Sequence, residues 1–224
     1  GGGDGIKTER SVPNPQTVYA ECKVLVERDV TALADETFSP TFLRNATAYG
    51  ESPRMRFDIV VNNLAGLAWT TQEIRLTSDG SPWRPLVHVL DICEAVACTL
   101  EAPRERVHGQ IMNVGDSQEN YQVREVAEII AATFPGCRLS IGNSDGDNRS
   151  YRVSFDKIRE VLPEFRCRWT VPLGAEQLRA RFEQINMTES VFQDRAFTRL
   201  KQLEYLLKSG KVDEMLYWTE AAVA

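Results

Sequence analysis

Only two histidines, His88 and His108, occur in 224 residues, and none of the five cysteines (Cys22, Cys93, Cys98, Cys137, Cys167) lies in a CxxC pair or close to a histidine. A zinc site built from Cys and His has too few ligands to draw on, and no metal is expected. The cysteines are scattered through helix-like and strand-like segments and read as reduced cytosolic thiols. No apolar run approaches the roughly 18 to 20 residues that a membrane helix needs, and no charged-then-apolar leader opens the chain. A cytoplasmic protein with no membrane partner is the expectation. No Lys/Arg stripe interrupts a chain whose formal charge is −6. That balance gives no general pull toward phosphate backbones, so nucleic acid is not expected as a partner, although a single arginine aimed into a pocket can still hold an anion. Internal repeats and low-complexity linkers are also missing.

What is present is an ordinary globular composition, 42 % hydrophobic and 26 % charged, in a length that buries a real core. The opening Gly1-Gly2-Gly3-Asp4-Gly5 has the character of a loop entered midway, which points to a piece of a longer protein. Turn residues follow, and Pro13 and Pro15 suit the entry to a helix. Val18, Cys22, Leu25, Val26 and Val30 recur at helical spacing and predict a helix over residues 16–33, buried along one side. Residues 41–44 read as a short strand ending in a loop over 45–50. A helix over 57–70, a strand over 73–77, a turn over 78–82 and a strand over 86–89 come next. Asp91 then opens a helix as its N-cap or first-turn acid. A strand over 110–115 and an amphipathic helix over 121–134 continue the alternation, which argues for an α/β architecture. From about Thr188 the chain is helical and charged, and its stripe of Phe197, Leu200, Leu203, Leu206 and Leu207 is expected to pack on the body.

Tyr19-Ala20-Glu21-Cys22-Lys23 places a phenol and an ammonium one helical turn apart on the same face. A neighbouring cation favours the phenolate form and makes a tyrosine a usable acid/base for a hydroxyl or carbonyl. By itself the pair also fits an exposed tyrosine that happens to lie near an exposed lysine. Further segments follow in order: Pro13-Asn14-Pro15 before the pair, Phe42-Leu43-Arg44-Asn45-Ala46-Thr47-Ala48-Tyr49-Gly50 after it, then Asn62-Asn63-Leu64. Asp79-Gly80, Trp83 to Val89 with Asp91, Asn113-Val114-Gly115, Arg149-Ser150-Tyr151 and Asp156-Lys157-Ile158 complete the series.

This ordered set, over roughly residues 1–175, resembles the extended short-chain dehydrogenase/reductases of the NAD-dependent epimerase/dehydratase family, which modify nucleotide sugars. The resemblance implies an α/β fold, the C-terminal part of a Rossmann-like parallel sheet with flanking helices plus a smaller mixed substrate-binding lobe. It implies an interleaved core and lobe over 1–187 and a helical extension over 188–224. Tyr19 matches the family's general acid/base, and Lys23 the lysine that tunes it and bonds the nicotinamide ribose of NAD or NADP. Asn45, Ala46 and Thr47 match the stretch that passes the nicotinamide, although many relatives have Pro at the position of Asn45. On the substrate side Asn63, Arg84 and Arg149 match residues that hold the nucleotide sugar. Arg suits a diphosphate because its planar fork makes paired, charge-assisted bonds. His88 fits a structural strand histidine better than a catalyst. A homodimer through the helix of the reactive pair, using Val26 or Val30, is a family expectation.

Two parts of the family pattern are missing from the sequence. The GxxGxxG loop that receives the pyrophosphate has no counterpart, since Gly1 to Gly5 has no strand before it and no helix directly after. The Ser/Thr that normally precedes the tyrosine is absent too. Epimerase, dehydratase and reductase chemistry therefore stay open. So does a non-catalytic binding or sensor role, and a reductase acting on a substrate without a nucleotide.

Overall fold

Leu86 and Val87 are neighbours in the chain yet belong to different hydrophobic cores. Successive side chains of a strand point to opposite faces, so a strand buried on both sides feeds two cores at once. The computed structural model describes residues 5–144 and 150–219. In chain order its elements are β1 (Ile6–Lys7), α1 (Val18–Thr31), β2 (Phe42–Asn45), β3 (Thr47–Tyr49), α2 (Val60–Thr71), β4 (Glu73–Ser78), β5 (Trp83–His88), α3 (Val89–Glu101) and α4 (Arg104–Val107). They continue with β6 (Ile111–Val114), β7 (Asn120–Gln122), α5 (Val123–Thr133), β8 (Arg138–Ser144), β9 (Arg152–Val153), α6 (Asp156–Val161), α7 (Val171–Gln184), α8 (Glu189–Gln193) and α9 (Arg199–Lys208).

Among the described residues, four of the five strand pairings are parallel, β1 with β9, β2 with β6, β3 with β5, and β4 with β8, and β5 with β7 is antiparallel. Parallel neighbours need long crossovers, which the helices supply, and this is the α/β architecture expected from the alternation. Residues 45–50 depart from the expected loop. After Asn45 the chain changes partner, from Val114 in β6 to Leu86 in β5, and Thr47 to Tyr49 pair as a strand. The pairing with β5 overrides the turn-like composition of Asn45-Ala46-Thr47.

Helix α2 buries Val61, Leu64, Ala65 and Ala68, the i, i+3, i+4, i+7 stripe of an amphipathic helix. It starts three residues later than expected, because Phe57 sits in the core among the rings of Phe182, Phe192 and Phe197 at 5.0–6.0 Å. Helix α5 opens on a reciprocal cap between Gln122 and Glu125 and buries Val126, Ala127 and Ile130. Helix α1 departs from expectation, because none of its residues is buried. Periodicity identifies the helix correctly, but it cannot say what covers the apolar stripe. Helix α9 likewise has no buried residue. Of its predicted stripe, Phe197 packs on the core through Phe57, whereas Leu200 and Leu207 are exposed.

The buried polar groups hold the two cores in register. Asn62 clamps Gly50, accepting from its N–H at 2.9 Å and donating to its carbonyl at 3.3 Å. Gly50 has φ +103°, and a Cβ there would lie 2.1 Å from His88 Nε2. His88, not Asp91, caps α3: its Nδ1 accepts from Leu90 N–H at 3.2 Å. Nε2 must then carry the proton it donates to Gln177 Oε1 at 2.8 Å, which sets the neutral tautomer. Burial lowers the pKa of His88, in keeping with a neutral ring, and the ring stacks on Trp169 at 4.2 Å.

Two buried carboxylates hold the chain that leads into α7. Asp91 accepts from Arg168 N–H at 3.0 Å and Trp169 N–H at 3.1 Å. Glu119 accepts from Val171 N–H at 3.0 Å and from the Tyr121 hydroxyl at 3.2 Å. Burial raises the pKa of both acids, outweighing the amides that favour their charged forms. Burial, with the charge of Glu119, pushes the Tyr121 phenol up to about 12.

Three stability tests follow from these contacts. Gly50→Ala should cost about 2–4 kcal/mol in urea unfolding, from its positive φ and the clash with His88. Asp91→Asn should cost about 1–3 kcal/mol, because a carboxamide oxygen can serve one of the two amides and turns an NH2 on the other. Glu119→Gln keeps both bonds, its oxygen on Val171 N–H and its NH2 on the Tyr121 oxygen. A carboxyl with a raised folded-state pKa favours the fold below its unfolded pKa and loses that contribution as pH rises through the folded one. Glu119→Gln should therefore match or exceed the parent at neutral pH and lose that advantage in acid. A loss on the scale of Asp91→Asn at neutral pH would contradict the assignment.

Candidate active site

Thr17 caps α1, its hydroxyl accepting from Ala20 N–H at 3.2 Å. That cap starts the helix two residues before Tyr19, so Tyr19 and Lys23 fall on successive turns of one face. Tyr19 is 73 % exposed, and Lys23 Nζ lies over its ring at 5.4 Å from the centroid. An ammonium at that range is held by the negative face of the ring. The phenol is thus open to an incoming hydroxyl while the cation stays beside it.

Beside Lys23 opens a cavity of about 350 Å³. Helix α1 contributes Ala20, Lys23, Val24 and Glu27 to its wall, and β2 and β6 contribute Arg44 and Asn113. Residues 11–15 before the helix, together with Lys7, Thr8, Tyr151 and Val153, close the rest. Arg44 grips Glu27 through two bonds, Nε to Oε2 at 2.9 Å and Nη2 to Oε1 at 2.5 Å. Glu27 raises the pKa of this guanidinium further, keeping it charged. Glu9, outside the wall, accepts from the N–H of the cavity residue Asn113 at 2.8 Å.

Lys23 and Arg44 line this opening, while Tyr19 lies under Lys23 and is not part of the wall. Asn45, Ala46 and Thr47 lie at the carboxyl end of β2, where the chain passes from one strand partner to the next, and Ala46 N–H bonds Val114 O at 3.0 Å. In open α/β sheets ligands sit outside such carboxyl ends. Asn63 and Arg84 do not line this cavity. Asn63 donates to Phe57 O at 2.8 Å, and Arg84 Nη1 donates to Trp83 O at 2.8 Å from β5. Arg149 lies outside the described residues. Glu27, Lys7 and Tyr151 are cavity residues that sequence reasoning missed. Seventeen residues separate Glu27 from Arg44, and no spacing rule joins a helix residue to a strand across that interval.

Residues 1–115 match the model of the NAD dependent epimerase/dehydratase family, and the chain belongs to that family. It is 27 % identical over 177 residues to dTDP-L-rhamnose 4-epimerase of Burkholderia thailandensis, covering 77 % of this chain and 48 % of the relative. The chain thus spans about half the length of that curated relative. Among solved structures it is similar to MoeE5 in complex with UDP-glucuronic acid and NAD, at 27 % identity and TM-score 0.69, covering 82 % of this chain and 62 % of the other. It shares its fold with dTDP-glucose 4,6-dehydratase of Bacillus anthracis, at 22 % identity and TM-score 0.67, covering 82 % and 57 %. These neighbours establish the Rossmann-like character of the parallel sheet.

Because α1 has no buried residue, the Arg44–Glu27 pair is its principal side-chain mooring. Glu27→Ala should cost about 1–2 kcal/mol and speed amide exchange selectively across residues 18–31. Unchanged protection there would show that α1 is held by other contacts.

Proposed function

We propose that this chain is the carboxy-terminal part of an NAD(P)-dependent nucleotide-sugar epimerase or dehydratase. The observation that carries the reading is Lys23 over the face of an exposed Tyr19 beside the Arg44-lined cavity. Family membership and the relatives' printed activities support it. Two facts favour a longer parent: the sequence has no GxxGxxG loop, and the chain covers only about half of its curated relative.

The residues present fit one end of a nicotinamide dinucleotide. Lys23 offers an ammonium to a ribose hydroxyl at the cavity mouth, and the open strand end at Asn45, Ala46 and Thr47 offers backbone to the ring. When bound, the dinucleotide supplies the acceptor and later the donor of a hydride. The chain's own part is proton chemistry. Tyr19 Oη takes the proton of a sugar hydroxyl as that carbon is oxidised, and returns it when the carbonyl is reduced again. Lys23 stabilises the phenolate from beside the ring and positions it. On the substrate side Arg84 and Arg149 are assigned to the diphosphate and Asn63 to its surroundings. The same reading divides the chain into an interleaved core and lobe over 1–187 and a helical extension over 188–224. It also assigns a homodimer through α1, on which Val26 is exposed, and a cytoplasmic location. A non-catalytic binding role is the second reading, favoured by the lack of a glycine loop.

The test is made on the full natural gene product, offered UDP-, GDP-, CDP- and dTDP-sugars. It should select one nucleotide and turn it over, and Tyr19→Phe should lower kcat about 10²–10⁴-fold with substrate affinity little changed. Arg84→Lys should instead weaken nucleotide-sugar binding, since an ammonium cannot reproduce the fork. A full-length product that binds a nucleotide sugar but never converts it would favour the non-catalytic role. Full activity in Tyr19→Phe would sink the mechanism.

A further inference from the structure

The wall of the cavity beside Lys23 carries more positive charge than it neutralises. Its cations are Lys7, Lys23 and Arg44, and its one carboxylate among the described residues is Glu27, which Arg44 takes up in two bonds. Two ammonium groups are left over, in a chain whose formal charge is −6. Lys23 is engaged by the ring of Tyr19, whereas the Lys7 ammonium has no partner among the described residues. The backbone of Lys7 is nonetheless fixed. Strand β1 pairs it with Val153 of β9, and its carbonyl accepts from Ser154 N–H at 2.8 Å. Cations gathered around one small cavity repel each other, and an anion placed among them relieves that repulsion.

The hydroxyls of the wall add donors to that charge. Residues 8–11 close as a turn, with Ser11 N–H donating to Thr8 O at 3.0 Å. Within the turn the Ser11 hydroxyl oxygen accepts from Thr8 N–H at 2.9 Å, and the Thr8 hydroxyl oxygen accepts from Arg10 N–H at 3.3 Å. Both oxygens already serve as acceptors, so each hydroxyl has an O–H left to give. Ammonium and O–H donors together match an oxyanion, whose charge-assisted bonds are the strong ones. At about 350 Å³ the cavity is at the small end of ligand sites, the scale of a sugar ring rather than a whole nucleotide sugar. In the proposed function Lys23 serves the phenolate and the ribose, and the diphosphate goes to Arg84 and Arg149, of which Arg84 does not line this cavity. One cation is then unassigned, Lys7, and it calls for a single negative charge on the sugar itself.

We propose that Lys7 is a specificity-determining residue that holds the carboxylate of an acidic sugar, with the hydroxyls of Thr8 and Ser11 beside it. The inference rests on the proposed function and narrows it: the substrate is a nucleotide-activated uronic acid rather than a neutral nucleotide sugar. A neutral sugar would leave the Lys7 ammonium in the wall without a counterion, and that difference is what sets the preference.

The experiment compares, on the full natural gene product, pairs of nucleotide sugars that share nucleotide and ring and differ only in carrying a carboxylate or a hydroxymethyl group. Binding is read by calorimetry and conversion is followed alongside. The acidic member should bind about tenfold more tightly or better. Lys7→Met should weaken its binding about 10–100-fold, while the neutral member's affinity and the thermal midpoint stay unchanged. Lys7→Arg should restore much of the preference, because it keeps the charge. An acidic preference without conversion would support the role of Lys7 and favour the non-catalytic reading of the chain. Equal affinity for the two members, or preference for the neutral one, with conversion intact would overturn this inference and leave the proposed function standing. An acidic preference that survives Lys7→Met would overturn it too and place the carboxylate elsewhere. Failure to bind any nucleotide sugar would overturn both.

Discussion

The grip of Arg44 on Glu27 is the contact on which the candidate site depends. Helix α1 carries Tyr19 and Lys23 but buries none of its own side chains, so hydrophobic packing does not set its position among the described residues. A paired, half-buried guanidinium does so instead, reaching from β2 to the third turn of the helix. Arg44 also precedes Asn45, Ala46 and Thr47 directly in the chain, so the residue that ties the helix belongs to the strand that leads into them.

Behind this opening the fold is held by buried polar groups that each join distant segments. Asn62 pins Gly50, His88 joins the end of β5 to α7 through Gln177, and Asp91 and Glu119 hold the amides at 168–171. Burying a carboxyl is costly, and the amides it serves where the chain enters α7 offset only part of that cost, which is why both acids have raised pKa values. These ties lie behind helix α1, which buries none of its own residues.

Much of the element order was legible in the sequence, because helical and strand periodicities differ and turn residues punctuate them. The helices around Tyr19 and Val126 and the strands around Leu43 and Ile74 fall close to their expected bounds. That Tyr19 and Lys23 lie side by side was legible too, since four residues on a helix is one turn. Long-range partners were not. Asp91 reads as an N-cap or first-turn acid and does lie in the first turn of α3, yet its partners are amides 77 and 78 residues away. The loop at 45–50 becomes a strand through a pairing that only the fold supplies. The stripe on α1 marks a helix without telling that it stays uncovered, and Leu200 and Leu207 on α9 repeat that lesson.

The central claim is that Tyr19 and Lys23 serve a hydride transfer. It is tested most directly by rapid mixing of the full natural gene product, carrying oxidised NAD or NADP, with its nucleotide sugar, while the near-ultraviolet absorbance of reduced nicotinamide is followed. The account predicts a rise in that band in the parent protein and none in Tyr19→Phe. A rise of equal rate and size in Tyr19→Phe would contradict it.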